Sequence, residues 1–224
     1  MATTPFNASP RSPSNRSFRR IGVGALVVLA ASVLAAATSI ADTLCTACID
    51  TGSDEGAELV IASPGEDRGS YGDAGIAHLL VDGTSAVTLG EGRDLGDATI
   101  NGRPEDDDMF ASALAAADFN GDGFDDIAIG VPLEDVGGTD DAGVVIVLLS
   151  DSGTGELNES LVLKQGTNGF PGSPDEGDNF GFSLSSQDFG FNDGFDDLII
   201  GVPGEDIDGA VDAGQVHVVM GSAD

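Results

Sequence analysis

Basic residues are scarce in this sequence: eight Lys and Arg stand against 39 Asp and Glu, a net charge of −31. Arg11, Arg16, Arg19 and Arg20 fall in the first 41 residues, which hold no acid at all. Residues 42–224 therefore set Arg68, Arg93, Arg103 and Lys164 against all 39 acids, a net −35. Phosphate backbones repel such a polyanion, which argues against nucleic acid as a partner. Tryptophan is absent and histidine occurs twice, at His78 and His217, with no Ser, Cys or Lys constellation around either. Nucleophilic triad chemistry thus has little support, and the carboxylates are too numerous for spacing to single out a glycosidase pair, which leaves that reading unsupported rather than excluded. The expectation is a non-enzymatic protein.

Cysteine is limited to Cys45 and Cys48. A redox pair would normally sit in a βαβ context, which this segment lacks, and a zinc site would need more ligands than it offers. In an exported chain the two can form a disulfide. If residues 43–49 are a strand, their side chains point to opposite faces and cannot bond to each other.

The single long apolar run, Ile21–Ala37, follows the basic segment, and the stretch Ser39-Ile40-Ala41 after it supplies the small residues that a signal peptidase needs. Residues 1–41 read as a signal peptide, with a retained signal anchor as the alternative, because a run reaching Ala41 is close to the roughly 20 residues that span a bilayer. A transit peptide fits the Arg and Ser content but not the hydrophobic run. Both of the first two readings place residues 42–224 outside the cytoplasm, secreted or at the cell surface, with membrane contact only if the segment is retained.

Internal repetition organises the remainder. IASPGED at 61–67, IGVPLED at 129–135 and IGVPGED at 200–206 align, with Pro64, Pro132 and Pro203 spaced by 68 and 71 residues. The same offsets carry Asp73-Ala74-Gly75 onto Asp141-Ala142-Gly143 and Asp212-Ala213-Gly214, and both histidines fall three residues after the Gly of that landmark. Short β-branched or apolar runs alternate with Gly and Asp clusters: 126–131, 143–149 and 161–164 in one unit, 180–186, 198–202 and 216–220 in the next. These read as strands. The Ala111–Ala117 run leans towards helix, but it occupies the place of Gly181–Gln187 and is read as a strand as well. Four short strands per unit at a fixed period is the pattern of a propeller blade.

Within the second unit, DFNGDGFDD at 118–126 has the spacing of a calcium loop. Calcium takes about 6 to 8 oxygen ligands, which alternate residues of a tight turn can supply. Asp118, Asn120 and Asp122 stand at positions one, three and five, the carbonyl of Phe124 at seven and Asp126 at nine, while Gly121 and Gly123 permit the turn. The twelfth position, Ile129, lies in a β-like run, so this is not an EF-hand. The competing reading is an Asx-rich hairpin turn with no metal. In the third unit one extra residue puts Phe189 and Phe191 where the first two ligands belong. Asp193 and Asp197 remain there, and Asp188 serves only if the loop bulges. In the first unit Asp50, Asp54 and Glu58 keep three positions. The acidic run Glu105–Asp108 has no ligand spacing and reads as a solvated loop.

Taken together, Phe180-Gly181, the loop at 118–126, and Gly201-Val202-Pro203 resemble the FG-GAP repeat family, the blades of the integrin α-subunit propeller and of many bacterial surface proteins. The second unit offers Phe110-Ala111 and Gly130-Val131-Pro132, and the first only Ala62-Ser63-Pro64. The resemblance covers roughly residues 50–221. It implies an all-β, partial β-propeller of about three blades, near 42–109, 110–179 and 180–224, each of up to four antiparallel strands and rigidified by Ca2+. Metal loops would lie at one face and partner-binding loops, by analogy 133–141 and 204–211, at the other. The implied function is an extracellular adhesion module for a protein or glycan ligand. The alternatives are an accessory propeller of a larger secreted hydrolase or a structural, salt-adapted surface protein. Because propellers close with about 4 to 8 blades, three imply a fragment, self-association or a partner.

Overall fold

The computed structural model describes residues 46–49, 58–81, 85–92, 102–151, 156–167, 170–189 and 193–223. The proposed export segment, Cys45, Asp50 and Asp54 lie outside the described residues, as does the side chain of Glu58. The described residues contain strands and no helix. The first sheet comprises β1 (Thr46–Ile49), β2 (Glu58–Ser63), β3 (Ile76–Val81) and β4 (Ser85–Leu89). The second comprises β5 (Ala113–Ala117), β6 (Asp126–Val131), β7 (Val144–Ser150) and β8 (Leu157–Leu163), and the third β9 (Ser183–Gln187), β10 (Asp197–Val202) and β11 (Gln215–Val219). Each sheet is an antiparallel meander whose strands pair in chain order. These are partial propeller blades, as the repeat pattern implied, and the described sheets do not close into a barrel.

The central sheet explains why its strands read as unbroken apolar runs. Every residue of β6 and β7 is buried. Alternation survives in which neighbour each residue meets: Ile127, Ile129, Ile146 and Leu148 pack with Val60, Ala62, Leu79 and Leu89 of the first sheet. Ala128, Val145, Val147 and Leu149 pack with Leu198, Ile200 and Val202 of the third. Successive side chains of a strand point to opposite faces, so a sheet covered on both sides needs apolar residues at every position. In contrast, β9 alternates exposed and half-buried residues along Ser183–Gln187. The innermost strands β1, β5 and β9 lie side by side, and the Ala-rich sequence of β5 keeps that crowded line small. Ser186 Oγ donates to the Ala116 carbonyl at 3.1 Å across it.

The two sequence landmarks are the halves of a latch between sheets. The Asp-Ala-Gly segment after the second strand of one sheet receives the Phe segment that enters the next. Asp107, Met109 and Phe110 amides donate to the carbonyls of Gly72, Asp73 and Ala74 at 2.9–3.0 Å. Gly177, Asn179 and Phe180 repeat the pattern on Asp140, Asp141 and Ala142 at 2.9–3.1 Å. Gly143 sits so close to Phe180 that a Cβ there would lie 2.4 Å from the Phe180 carbonyl, and Gly75 meets Phe110 in the same way. The aspartates closing the three aligned segments are structural: Asp67, Asp135 and Asp206 accept the amides of Asp73, Asp141 and Asp212 at 3.2, 3.1 and 2.8 Å. Strands β5 and β9 therefore begin later than the apolar pattern suggested. Ala111 and Gly181 have positive φ, of 67° and 89°, which turns the latch segment out of strand conformation before the ladder starts.

Candidate metal centre

The 118–126 segment joins β5 to β6, and its backbone is wound around its own acids. Asp118 Oδ1 accepts the amides of Gly121 and Asp122 at 2.7 and 3.1 Å, and its Oδ2 accepts that of Gly123 at 2.9 Å. Asn120 Oδ1 takes the Asp122 amide at 3.0 Å and Asp122 Oδ1 the Phe124 amide at 2.9 Å. Asn120 Nδ2 reaches Asp122 Oδ2 at 3.3 Å, so the residues at positions three and five are side by side. Gly121 and Gly123 supply the left-handed turns, with φ of 75° and 96°. Asp118, Asn120 and Asp122 thus hold the turn through hydrogen bonds that leave lone pairs free on both carboxylates, and Asn120 and Asp122 are the two in side-chain contact.

Asp126 is placed differently. It is buried, with Oδ2 accepting the Phe119 amide at 2.9 Å and Oδ1 accepting the Ser150 amide and hydroxyl at 2.9 and 3.1 Å. It closes the loop onto the end of β7. Burial pushes its carboxyl up to about 6, with the Ser150 and Phe119 hydrogen bonds acting against that rise.

Asp197 repeats this arrangement, accepting the Phe189 amide at 2.8 Å and the Gly221 amide at 3.0 Å. Phe189 therefore stands where Phe119 stands, which brings Asp188 into register with Asp118. The extra residue of this loop falls within 190–192, outside the described residues. Asp193 accepts the Phe195 amide at 3.2 Å, as Asp122 accepts that of Phe124. The two loops abut: the Asp196 amide donates to the Asp118 carbonyl at 2.9 Å, and a Cβ on Gly121 would strike the Phe195 ring at 2.2 Å. Of the three residues suggested in the first unit, Glu58 begins β2 opposite Ile49, and Asp50 and Asp54 fall outside the described residues.

A second acidic group lies at the opposite end of the sheets, where β4 and β6 finish and β5 is entered. Among the described residues, Glu91, Asp108 and Glu134 are the one set of three acids whose ligand oxygens all lie within 4.8 Å of one another. Asp108 corrects the reading of 105–108 as a solvated loop. Residues 105–107 are exposed, but Asp108 is buried and accepts the Glu105 amide across its own turn. Burial pushes Glu91 up to about 10, reinforced by the charges of Glu134 and Asp108 and opposed by Arg68. Burial is also the main cause for Asp108, raised to about 6, and for Glu134, raised to about 7, with Glu105 and Asp135 adding further negative charge.

The sign of the pH effect follows. A carboxyl raised in the folded state keeps a proton that the unfolded chain releases. Its contribution is therefore fully present below the ordinary glutamate value of 4.5 and fades as pH rises towards about 10. Melts of the full chain in EDTA should show a Tm that falls as pH rises through neutrality, with a shallower fall in Glu91→Gln. Equal slopes would show that Glu91 does not carry the effect.

Neither histidine faces an acid–base partner set. His217 packs its ring against Phe170 and Phe180, with centroids 5.3 and 5.6 Å away, and burial lowers its pKa. His78 Nδ1 lies 3.3 Å from Thr88 Oγ1.

Against this geometry, the FG-GAP repeat model matches residues 110–148 and 192–219. The two segments are FG-GAP repeats. The first runs from the latch residue Phe110 through the 118–126 loop to β7, and the second holds Asp193, Asp197, β10 and β11. Integrin alpha ina-1 of Caenorhabditis elegans is 27% identical over 175 residues, covering 75% of this chain. The chain spans 14% of that relative's length. The matched stretches hold β5, β6 and most of β7 of the second sheet and β10 and β11 of the third, while Glu91 and Asp108 precede both.

Proposed function

We propose that this protein is an extracellular, calcium-stabilised FG-GAP module that binds a protein or glycan ligand and has no catalytic activity of its own. The observation that carries the reading is the 118–126 loop, in which Asp118, Asn120 and Asp122, at alternate positions of an FG-GAP repeat, each accept amides of the turn, with Asn120 beside Asp122 and lone pairs left over. Asp118, Asn120, Asp122 and the Phe124 carbonyl would hold the ion, with Asp126 fixing the loop to β7 and offering a further oxygen. Bound calcium would neutralise part of the repulsion between these acids and tie β5 to β6. The likeness to an integrin α chain supports a cell-surface or secreted setting and an adhesive role.

The connections that face the other end of the sheets are the candidate contact surface. In the β10–β11 connection Ile207 and Val211 are exposed, Val211 by 74%. Exposed aliphatic side chains on a hairpin held by its own Ile207–Ala210 bridge suit docking to another macromolecule.

Thermal unfolding of the full chain at constant ionic strength tests the calcium reading. Calcium should raise the Tm above that in EDTA, and Asp122→Ala should lose most of that increment. A melt equally indifferent to calcium and to EDTA would favour a salt-adapted structural protein instead.

A further inference from the structure

We infer that Glu91, Asp108 and Glu134 form a second divalent-cation site, suited to calcium, at the seam between the first two sheets and remote from the 118–126 loop. All three ligand oxygens lie within 4.8 Å of one another. Oxygens sharing one calcium at about 2.3–2.6 Å can be no farther apart than roughly 5 Å. With carboxylates and neither His nor Cys, the donor set is that of a hard cation.

Glu91 supplies the independent observation. It is 2% exposed, and neither of its carboxylate oxygens has a hydrogen-bond donor. Glu134 Oε2 is also buried without one. A buried carboxylate is stable only when paired, coordinated or protonated. Arg68 does not pair with it: its guanidinium Nη1 donates to the backbone carbonyl of Glu91. The backbone closes over the group instead, since a Cβ on Gly102 would fall 2.7 Å from Glu91 Oε1.

The second seam is a natural control. There Gln165, Asp178 and Glu205 take the corresponding places, and Gly172 packs over Gln165 as Gly102 packs over Glu91. Gln165 Nε2 donates to Glu205 Oε2, so an amide hydrogen supplies the positive end that the first seam lacks. The two seams differ in charge in one further way. The place of Arg68 in the first repeat is taken by Val136 and Ile207 in the others. Glu134 also lines an open pocket with Arg103, Glu105 and Asp135, which gives an ion and its remaining water ligands a way in.

Calorimetric calcium titration of the full chain at neutral pH, with parent, Glu91→Gln, Asp122→Ala and the double variant, tests the site. Glu91→Gln should bind one calcium fewer than the parent, and the double variant one fewer than Asp122→Ala, so this result is independent of the loop. In EDTA, Glu91→Gln should melt at or above the parent, because its amide can donate to Glu134 as Gln165 does to Glu205. An unchanged calcium count in Glu91→Gln, as a shared proton alone would give, overturns the proposal. So does a lower Tm of Glu91→Gln in EDTA, which would mean the carboxylates do not need a counter-charge.

Discussion

Replacing Phe180 by alanine should lower the stability of this protein by about 3–5 kcal/mol, the range for emptying a well-packed aromatic site. The ring is fully buried between the second and third sheets and sits in the cluster that includes Val145, Leu163, Leu198 and Ile200. It meets Phe170 edge-on at 5.3 Å and His217 at 5.6 Å, contacts that add to simple burial. The surroundings cannot collapse easily, because the backbone of the same residue is latched to Ala142 by a 2.9 Å hydrogen bond. Phe182 is the internal comparison: it is 58% exposed, and Phe182→Ala should cost no more than about 0.5 kcal/mol. Urea unfolding of both variants checks this. Similar losses at the two positions would mean that the seam is not packed through Phe180.

Gly143→Ala should have the next largest effect, roughly 3 kcal/mol, from two causes that add. Its φ of 82° is in the left-handed region, which an alanine occupies at a cost of about 1–2 kcal/mol. The new Cβ would also lie 2.4 Å and 2.6 Å from the Phe180 carbonyl and amide and 2.8 Å from the Pro132 carbonyl. Those atoms are backbone and cannot swing aside. Gly138, with φ of 93° and nothing within 4 Å of its Cβ position, separates the causes. Gly138→Ala should show only the conformational cost, so the difference between the two variants measures how tightly the sheets are latched.

The periodicity of the chain revealed most of the fold because its signals are local. The run DIAIGV coincides with β6, and after the buried Asp126 it is apolar because both faces of the strand are covered. The Phe and Asp-Ala-Gly landmarks were recognisable as repeats, yet their role as a latch was not, because it exists only between successive units. The 118–126 loop was legible for the same reason as β6: its donors are all within nine residues. Counting alone misplaced Phe189, which the Asp197 hydrogen bond puts opposite Phe119. The Glu91, Asp108 and Glu134 cluster draws on three separated segments and forms only when two sheets stack. One trace of it was in the sequence, a Glu at 91 where the next repeat has Gln165, beside an Arg at 68 where the others have Val136 and Ile207.

The most direct test of the calcium-loop account is a calorimetric calcium titration of the full chain alongside Asp122→Ala. Saturable binding in the parent, with the loop's ion lost in the variant, is the predicted result. An identical calcium isotherm in both proteins, or no binding in either, would contradict it.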